Sequence, residues 1–350
     1  MKEISIIGID TAKNVMQLHG IDKTGKVLLK KSVTRDKFLT TLSNMPKCLI
    51  GMEACGGAHY WAKKLMEMGH EVKLMSAEAV KRYAEHQKND ANDAKACAIA
   101  VERKDMRFVP IRTEEQLELQ SLHRIRSYYV KMHTGMMNMI RGLLLEHGIA
   151  IRQGKTTLVK RLKELLLEEE KSEKLRSSMS DLLEELNHLQ SKIDEQTGKI
   201  EKVAKEDERC KQIQTIEGIG PISATAIIAK IGNGSEFKKG RELSAFLGLV
   251  PRQSSSGNQK RLLGISKHGD RYIRQLLIHG GRAVVRAAQR INKETGAYCK
   301  SDKHSEWVRK LSERVGINKA SVAVANKNAR MIVSILKTGV EFKAELAHAC

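Results

Sequence analysis

Aromatic residues are scarce, with Phe, Tyr and Trp making up 4% of the 350 residues. Proteins that hold single strands by stacking bases need exposed rings, so this chain is not such a platform. The six cysteines, Cys48, Cys55, Cys97, Cys210, Cys299 and Cys350, contain no Cys-x-x-Cys pair and no Cys/His set at zinc-finger spacing. They read as reduced and mostly buried, which excludes a zinc ribbon or a disulfide-stapled module. No apolar run approaches transmembrane length. "MKEISIIGID" enters a strand directly, with no signal peptide. The expectation is a cytoplasmic protein, nucleoid-associated when acting, with no membrane partner.

Positive charge is abundant. Lys and Arg number 62 against 41 Asp and Glu, a formal net charge of +21 spread along the chain. That excess points to an extended polyanion, DNA or RNA, as partner. With so few rings, Lys and Arg contacts to phosphate must supply most of the affinity, which then falls steeply with salt. A length of 350 residues implies two or three domains, and a hydrophobic content of 41% supplies real cores.

Against this basic background four acids stand out. Asp10 ends the apolar run "ISIIGID", and Glu53 ends "KCLIGME". Both runs read as buried strands. Asp90 and Asp93 open an alanine-rich helix in "KNDANDAKACAIA", and residues three apart on a helix share a face. Strands are expected at 3–9, 15–22 and 26–33, then a helix over 36–46, a strand in "KCLIGMEA", a helix in "AHYWAKKLMEMG" and a strand in "HEVKLMSA". Three meandering strands followed by alternating helix and strand is the ribonuclease-H-like order. Carboxylates converging from two strands and one helix can hold divalent metal against a phosphodiester. For any one acid a plain surface patch is the alternative. His86 lies one turn before Asp90 and reads as a surface residue. Trp61 reads as packing, and Cys55 and Cys97 as core.

Residues 113–210 change character to long, charged helix. From Met179 the apolar positions Leu182, Leu186, Leu189, Ile193 and Ile200 follow heptad spacing, interrupted by Gln196. This reads as a coiled coil or helical hairpin serving as an oligomerisation arm, ahead of a spacer packed on its own chain. Residues 211–350 form a third expected unit. "IQTIEGIGPISATAIIAKIG" has the look of a helix-hairpin-helix, in which Gly218 and Gly220 offer backbone N–H groups to a phosphate. A tight turn between packed helices is the alternative. "GLVPRQSSSGNQKRLLGISKHGDRYIRQLL" sets Ser254, Ser255 and Ser256 in an expected loop before Gly257. Arg252, Lys260, Arg261, Lys267, Arg271 and Arg274 surround them as candidate nucleic-acid contacts. A serine among cations can attack a phosphate, the cations offsetting charge that develops on the phosphoryl oxygens. A polar phosphate-contacting loop is the alternative.

"IGIDTAKNVMQLHGID", "GMEACGGAHYWAKKL" and "KNDANDAKACAIA" resemble the acidic motifs of the DEDD-type insertion-sequence transposases. The hairpin "IEGIGPISATAIIAKIG" and the serine block resemble that family's C-terminal domain. The resemblance runs along nearly the whole chain in the right order. It implies an overall α/β plus α architecture: a RuvC-like metal-binding domain over 1–112, the helical arm over 113–210, and a C-terminal transposase domain over 211–350. It also implies a bacterial recombinase that cuts and rejoins donor and target DNA, guided by a structured RNA encoded on the element. By resemblance Asp10, Glu53, Asp90 and Asp93 match the metal-binding acids, and Ser256, immediately before Gly257, matches the nucleophile. Ser254 and Ser255 are adjacent, so the register within the three stays open. Two Mg²⁺ ions (or Mn²⁺) about 4 Å apart are the expected cofactor. A homodimer or homotetramer, with one active site drawn from two protomers, is the expected assembly. The rival expectation is a RuvC-like hydrolytic nuclease acting on branched DNA, with water in place of the serine. A binding protein without catalysis and a transposase using water and then a 3′ hydroxyl are further alternatives.

Overall fold

A computed structural model describes residues 3–84, 89–256, 259–292 and 294–342. His86, Gly257 and Cys350 lie outside them. The chain divides into two compact units, 1–113 and 114–350. The segment expected as a separate arm, 113–210, falls within the second unit apart from Thr113.

The first unit is built on a six-stranded sheet. Its strands are β1 (Ile6–Thr11), β2 (Val15–Ile21), β3 (Val27–Thr34), β4 (Leu49–Glu53), β5 (Glu71–Met75) and β6 (Phe108–Val109). Helices α1 (Arg35–Ser43), α2 (Ala58–Glu67), α3 (Ala77–Lys81) and α4 (Asp90–Val101) complete it. The strands lie in the order β3-β2-β1-β4-β5-β6. β1, β2 and β3 form the antiparallel meander, β4 and β5 run parallel to β1, and β6 is antiparallel to β5. The first five strands take the ribonuclease-H-like order expected from the sequence. β6, only two residues long, carries no periodic signal of its own.

Alternation sorts the β1 side chains. Ile7 and Ile9 point to one face, where they pack with Met16, Leu18, Phe38, Leu42, Trp61 and Leu65 under α1 and α2. Trp61 meets Phe38 edge-on at 5.0 Å. Ile6, Ile21 and Met75 face the other way, toward Ala96, Cys97, Ala98, Ala100 and Val101 of α4. The small residues of α4 let it lie close on the sheet. An alanine-rich helix buries little area per residue, so close approach must supply its contacts.

The second unit is mainly helical. It contains α5 (Glu114–Glu146), α6 (Lys155–Leu166), α7 (Glu173–Glu206), α8 (Glu208–Gln214), α9 (Pro221–Ile231) and α10 (Gly240–Phe246). A hairpin follows, β7 (Pro251–Ser256) and β8 (Gln259–Ile265), and then α11 (Arg271–Ala288), α12 (Lys303–Val315) and α13 (Ile317–Thr338). The heptad seam of α7 is covered from within the chain. Met179, Leu183 and Leu186 pack with Ile140 and Leu144 of α5 and with Leu158, Leu162 and Leu165 of α6. Farther along, Arg126 Nε of α5 donates to Thr197 Oγ1 of α7 at 2.8 Å, so the two long helices run antiparallel. The sequence reading placed self-association first. The structure instead gives this seam to an intramolecular hairpin, because α5 supplies the partner stripe. At the far end α8, α9, α10, α11 and α13 enclose a core that includes Ile213, Ile227, Leu243, Leu277 and Ile332.

Candidate active site

Asp10 is the last residue but one of β1, on the strand face that looks toward α4. Two residues before it is Gly8; two residues before Glu53 is Gly51. Gly8 and Gly51 are register partners in the parallel pair β1–β4. A Cβ on Gly8 would lie 2.0 Å from Ala94 O and 2.3 Å from Ala98 N, and one on Gly51 would lie 2.7 Å from Cys97 O. Only glycine fits at either position. The paired glycines set α4 down on the sheet, and that approach carries Asp90 and Asp93 to Asp10. Sequence reasoning singled out the acids and passed over the Gly-x-Asp and Gly-x-Glu pattern that seats them. The first turn of α4 is fixed by Asn89, whose Oδ1 accepts from Ala91 N at 3.1 Å. Asp90 and Asp93 in that turn are favoured by the positive end of the helix dipole.

Carboxylate oxygens of Asp10, Asp90 and Asp93 all lie within 4.8 Å of one another. Asp90 is exposed; Asp10 and Asp93 are half-buried. Glu53 falls outside that tight group but feels its field. Burial, followed by the charge of Asp93, raises the Glu53 carboxyl above its ordinary value. Asp10 is pushed from 3.8 up to about 6, first by burial and then by Asp90, Asp93 and Glu53, against a backbone hydrogen bond at Thr11. Acids crowded until one is reluctant to ionise make a site whose charge a cation would relieve. A donor set made only of carboxylate oxygens suits a hard divalent ion such as Mg²⁺ or Mn²⁺. Cys97, beneath these acids, is buried, and its thiol is raised by burial and by Asp10 and Glu53. Cys55 is half-buried with Sγ 2.9 Å from Thr11 Oγ1.

The three serines lie on a strand, which corrects the expected loop. In the β7–β8 register Ser254 faces Arg261, Ser255 faces Lys260 and Ser256 faces Gln259. Ser255 Oγ accepts from Gln253 Nε2 at 2.9 Å. Ser256 is the last residue of its strand, at the hairpin's tip. Hydrophobicity could not announce these strands, because "PRQSSS" pairs without burying a face.

Similarity to known proteins follows the same division of the chain. A family model described as "Transposase", of the DEDD IS110 type, matches residues 7–149. A second, described as "Transposase IS116/IS110/IS902 family", matches residues 210–296. The chain is 42% identical over 338 residues to a "Probable family 20 transposase" of Pseudomonas aeruginosa, spanning 95% of this chain and 97% of the relative. It is 41% identical to the "Transposase for insertion sequence element IS1111A" of Coxiella burnetii, over 96% of this chain and 90% of the relative. It is 34% identical to the "Transposase for insertion sequence element IS1328" of Yersinia enterocolitica, over 98% and 99%. The chain belongs to the IS110 family of insertion-sequence transposases.

In this transposase the first match contains all four acids and the second contains both the helical hairpin and the serine strand. The expected nucleic-acid contacts fall into two groups. Arg252, Arg261, Lys267 and Arg271 are exposed, and Lys260 lies on β8 opposite Ser255. Lys267 holds a left-handed backbone, φ 59°, at the end of the hairpin. Arg274 departs from the expectation. It is buried, and its Nη1 donates to Leu247 O at 3.0 Å and His268 O at 3.1 Å, tying two chain turns together. Its apolar neighbours on the inner face of α11 decide this, and a count of local cations could not reveal it.

The helical hairpin divides similarly. Gly218, with φ 86°, crosses α11 backbone to backbone, so that a Cβ on Gly280 would sit 2.0 Å from Gly218 O. Its small size is used for packing. Gly220 is exposed and caps α9 without a side-chain partner, which leaves that helix end open to an anion. Glu217 beside the hairpin pairs with Lys300, and Asn328 Nδ2 donates to Glu217 O at 2.9 Å. Among the described residues no helix is long and apolar enough to cross a membrane.

Proposed function

We propose that this IS110-family transposase cuts and rejoins DNA at a site combining the acids of its first unit with Ser256 of its second. The observation that carries the reading is the convergence of Asp10, Asp90 and Asp93 oxygens within 4.8 Å, on a strand and a helix that paired glycines hold together. Asp10, Asp90 and Asp93, with Glu53 on the adjoining strand, would hold divalent metal, Mg²⁺ or Mn²⁺. When bound, the metal supplies Lewis-acid stabilisation of charge on the reacting phosphate oxygens.

The chain's own residues do the rest. Ser256 Oγ attacks the scissile phosphorus. The Oγ–P bond forms, the P–O3′ bond breaks, and the departing 3′ oxygen leaves as a hydroxyl after gaining a proton. The serine proton passes to solvent or a base at the site, and a proton returns to the departing 3′ oxygen. A 3′ hydroxyl of the second strand then attacks the phosphoserine. That step restores the phosphodiester and returns the proton to Oγ, so the count of phosphodiester bonds is unchanged and no external energy is needed. Arg252 on the serine strand and Arg261 opposite Ser254 offset charge on the phosphoryl oxygens. The net charge of +21 supports an extended polyanion partner. Family membership supports a structured element-encoded RNA as the guide. We also propose a homo-oligomer, dimer or tetramer, in which acids and serine of one site come from different protomers.

The test is strand exchange on labelled donor and target DNA with the element's flanking RNA and Mg²⁺. Asp10→Asn and Ser256→Ala should each abolish exchange. Cleavage that survives Ser256→Ala but not Asp10→Asn would instead identify a hydrolytic nuclease of the branched-DNA type.

A further inference from the structure

An acidic centre repels the phosphodiester it must act on, so a strand brought to it needs cations nearby. The first unit carries such a cation, Lys30, on the same sheet face as Asp10 and one row away. Asp10 pairs with Gln17 across β1–β2, and Gln17 pairs with Ser32 across β2–β3. Directly opposed residues in antiparallel strands share a sheet face. Asp10, Gln17 and Ser32 therefore form one row, with Gln17 Nε2 donating to Ser32 Oγ at 3.3 Å. In the next row Gly8 pairs with His19, and His19 with Lys30. α4 packs over β1 and β2, and the edge strand β3 lies beyond it. The result is a cavity of about 350 Å³ with Gln17, His19, Lys30 and Ser32 on the sheet side and Lys95 on the helix side, while Leu18 and Lys31, paired with each other, turn to the opposite sheet face. The cavity wall includes Ala91 and Asn92, on the same turn of α4 as Asp90 and Asp93. Among the described residues its lining contains no acid. The adjoining cavity, which shares His19 and Lys95, brings in Glu102 and Asp105 beside Arg103 and Lys104. Cationic character is therefore concentrated at the end nearest the catalytic acids. His19 is 4% exposed, and burial, Lys30 and Lys95 lower its pKa, so the floor stays neutral.

We propose that this cavity is a phosphate track for the DNA strand on one side of the scissile bond, with Lys30 contacting its phosphates, Lys95 on the facing wall, and Gln17 and Ser32 lining its floor. The inference rests on the reading of the acids as the cutting site. The row from Asp10 to Ser32 spans two strand spacings, roughly 10 Å. At about 3.4 Å of rise per nucleotide that is room for three nucleotides beyond the scissile phosphate. DNA is favoured over RNA as occupant because the track begins at the acids, where the cut strand must lie.

Lys30, Lys31 and Ser32 are exposed, so substitutions there leave the core intact. The experiment measures binding of the full chain to labelled donor DNA, and separately to the element's RNA, between about 0.05 and 0.2 M salt. Ca²⁺ replaces Mg²⁺ to hold back chemistry. Lys30→Ala should make the log–log salt slope for DNA shallower by about 0.7 to 0.9, the value for one lost phosphate contact. The RNA slope should not move, and Lys30→Arg should keep the wild-type DNA slope. An unchanged DNA slope overturns the track. So does a change confined to RNA, or an equal change from Lys31→Ala, whose side chain lies on the opposite sheet face. Mg²⁺-dependent cleavage by wild type and Asp10→Asn, run on the same preparations, separates the two claims. Normal Asp10 dependence with an unchanged slope sinks the track alone. Cleavage indifferent to Asp10 sinks the underlying reading and the track with it.

Discussion

Replacing Asp10 by Asn should stabilise the metal-free protein while destroying its activity. Asp10 has a carboxyl raised from 3.8 to about 6, chiefly by burial and then by Asp90, Asp93 and Glu53. Between those two values the folded chain holds a proton that the unfolded chain has released. Stability therefore falls as pH rises through that window, and the loss is complete above the folded value. Roughly two units at about 1.4 kcal/mol each set a ceiling near 3 kcal/mol. Asp10 is only half-buried, so solvent screening reduces this to about 1–2 kcal/mol. Asn keeps the shape and removes the charge. For a unit of this size the gain corresponds to a rise in Tm on the order of 5 °C. Each unit has its own tryptophan, Trp61 in the first and Trp307 in the second. With Trp307 replaced by Phe, Trp61 fluorescence reports the first unit alone. In EDTA at pH 7.5, Asp10→Asn should melt later than its parent; at pH 4 the two should converge. Mg²⁺ should raise the parent's Tm and raise the variant's less. A variant that melts earlier than its parent in EDTA at pH 7.5, or keeps its full advantage at pH 4, refutes the electrostatic account of this site.

Gly8→Ala should disable the acids without touching one. Its Cβ would meet α4 backbone at 2.0 Å, so the helix must lift, with about 1–3 kcal/mol lost in urea unfolding and Mg²⁺ stabilisation gone. The second unit should respond to acid in the opposite sense from the first. His123 is held between Tyr272 Oη at 3.1 Å and Thr225 Oγ1 at 3.0 Å, and burial followed by Arg126 lowers its pKa from 6.5 to about 4. Its unfolded state takes up the proton first, so stability present above pH 6.5 is lost as pH falls toward 4, by up to about 3 kcal/mol. Trp307 fluorescence in a Trp61→Phe background should show that slope, and His123→Gln should flatten it. Arg274→Ala should lower the urea midpoint of the second unit by about 1–3 kcal/mol, because two carbonyls lose their donor. The salt slope of its DNA binding should stay as in wild type, whereas Arg261→Ala should reduce it.

Legibility followed burial pattern. The strands bearing Asp10 and Glu53 were readable because each is an apolar run ending in a single acid, and a charged residue at the end of a buried run is conspicuous. The first turn of α4 was readable from two acids three apart at the head of an alanine-rich run. The glycines that seat α4 were less visible, since a glycine in a strand looks like weakness until a helix lies across it. The serine strand was missed because a solvent-facing hairpin has no apolar alternation to betray it. Heptads in α7 were read correctly as a helical seam. The covering partner was misjudged because α5, whose stripe is looser and richer in Met, does not display the same repeat. Arg274 shows the same limit from the other side: whether a cation faces solvent or two buried carbonyls depends on helix orientation.

The central claim is that Ser256 takes the DNA strand onto itself with the help of the acids. The most direct test is to look for the bond. Wild-type protein is incubated with Mg²⁺, flanking RNA and end-labelled donor and target DNA, then denatured, and the retained label is mapped by peptide mass spectrometry. The account predicts a nucleotide attached through phosphate to Ser256, absent from Ser256→Ala and from Asp10→Asn. Strand exchange that proceeds with no adduct, or an adduct that persists in Asp10→Asn, would contradict it.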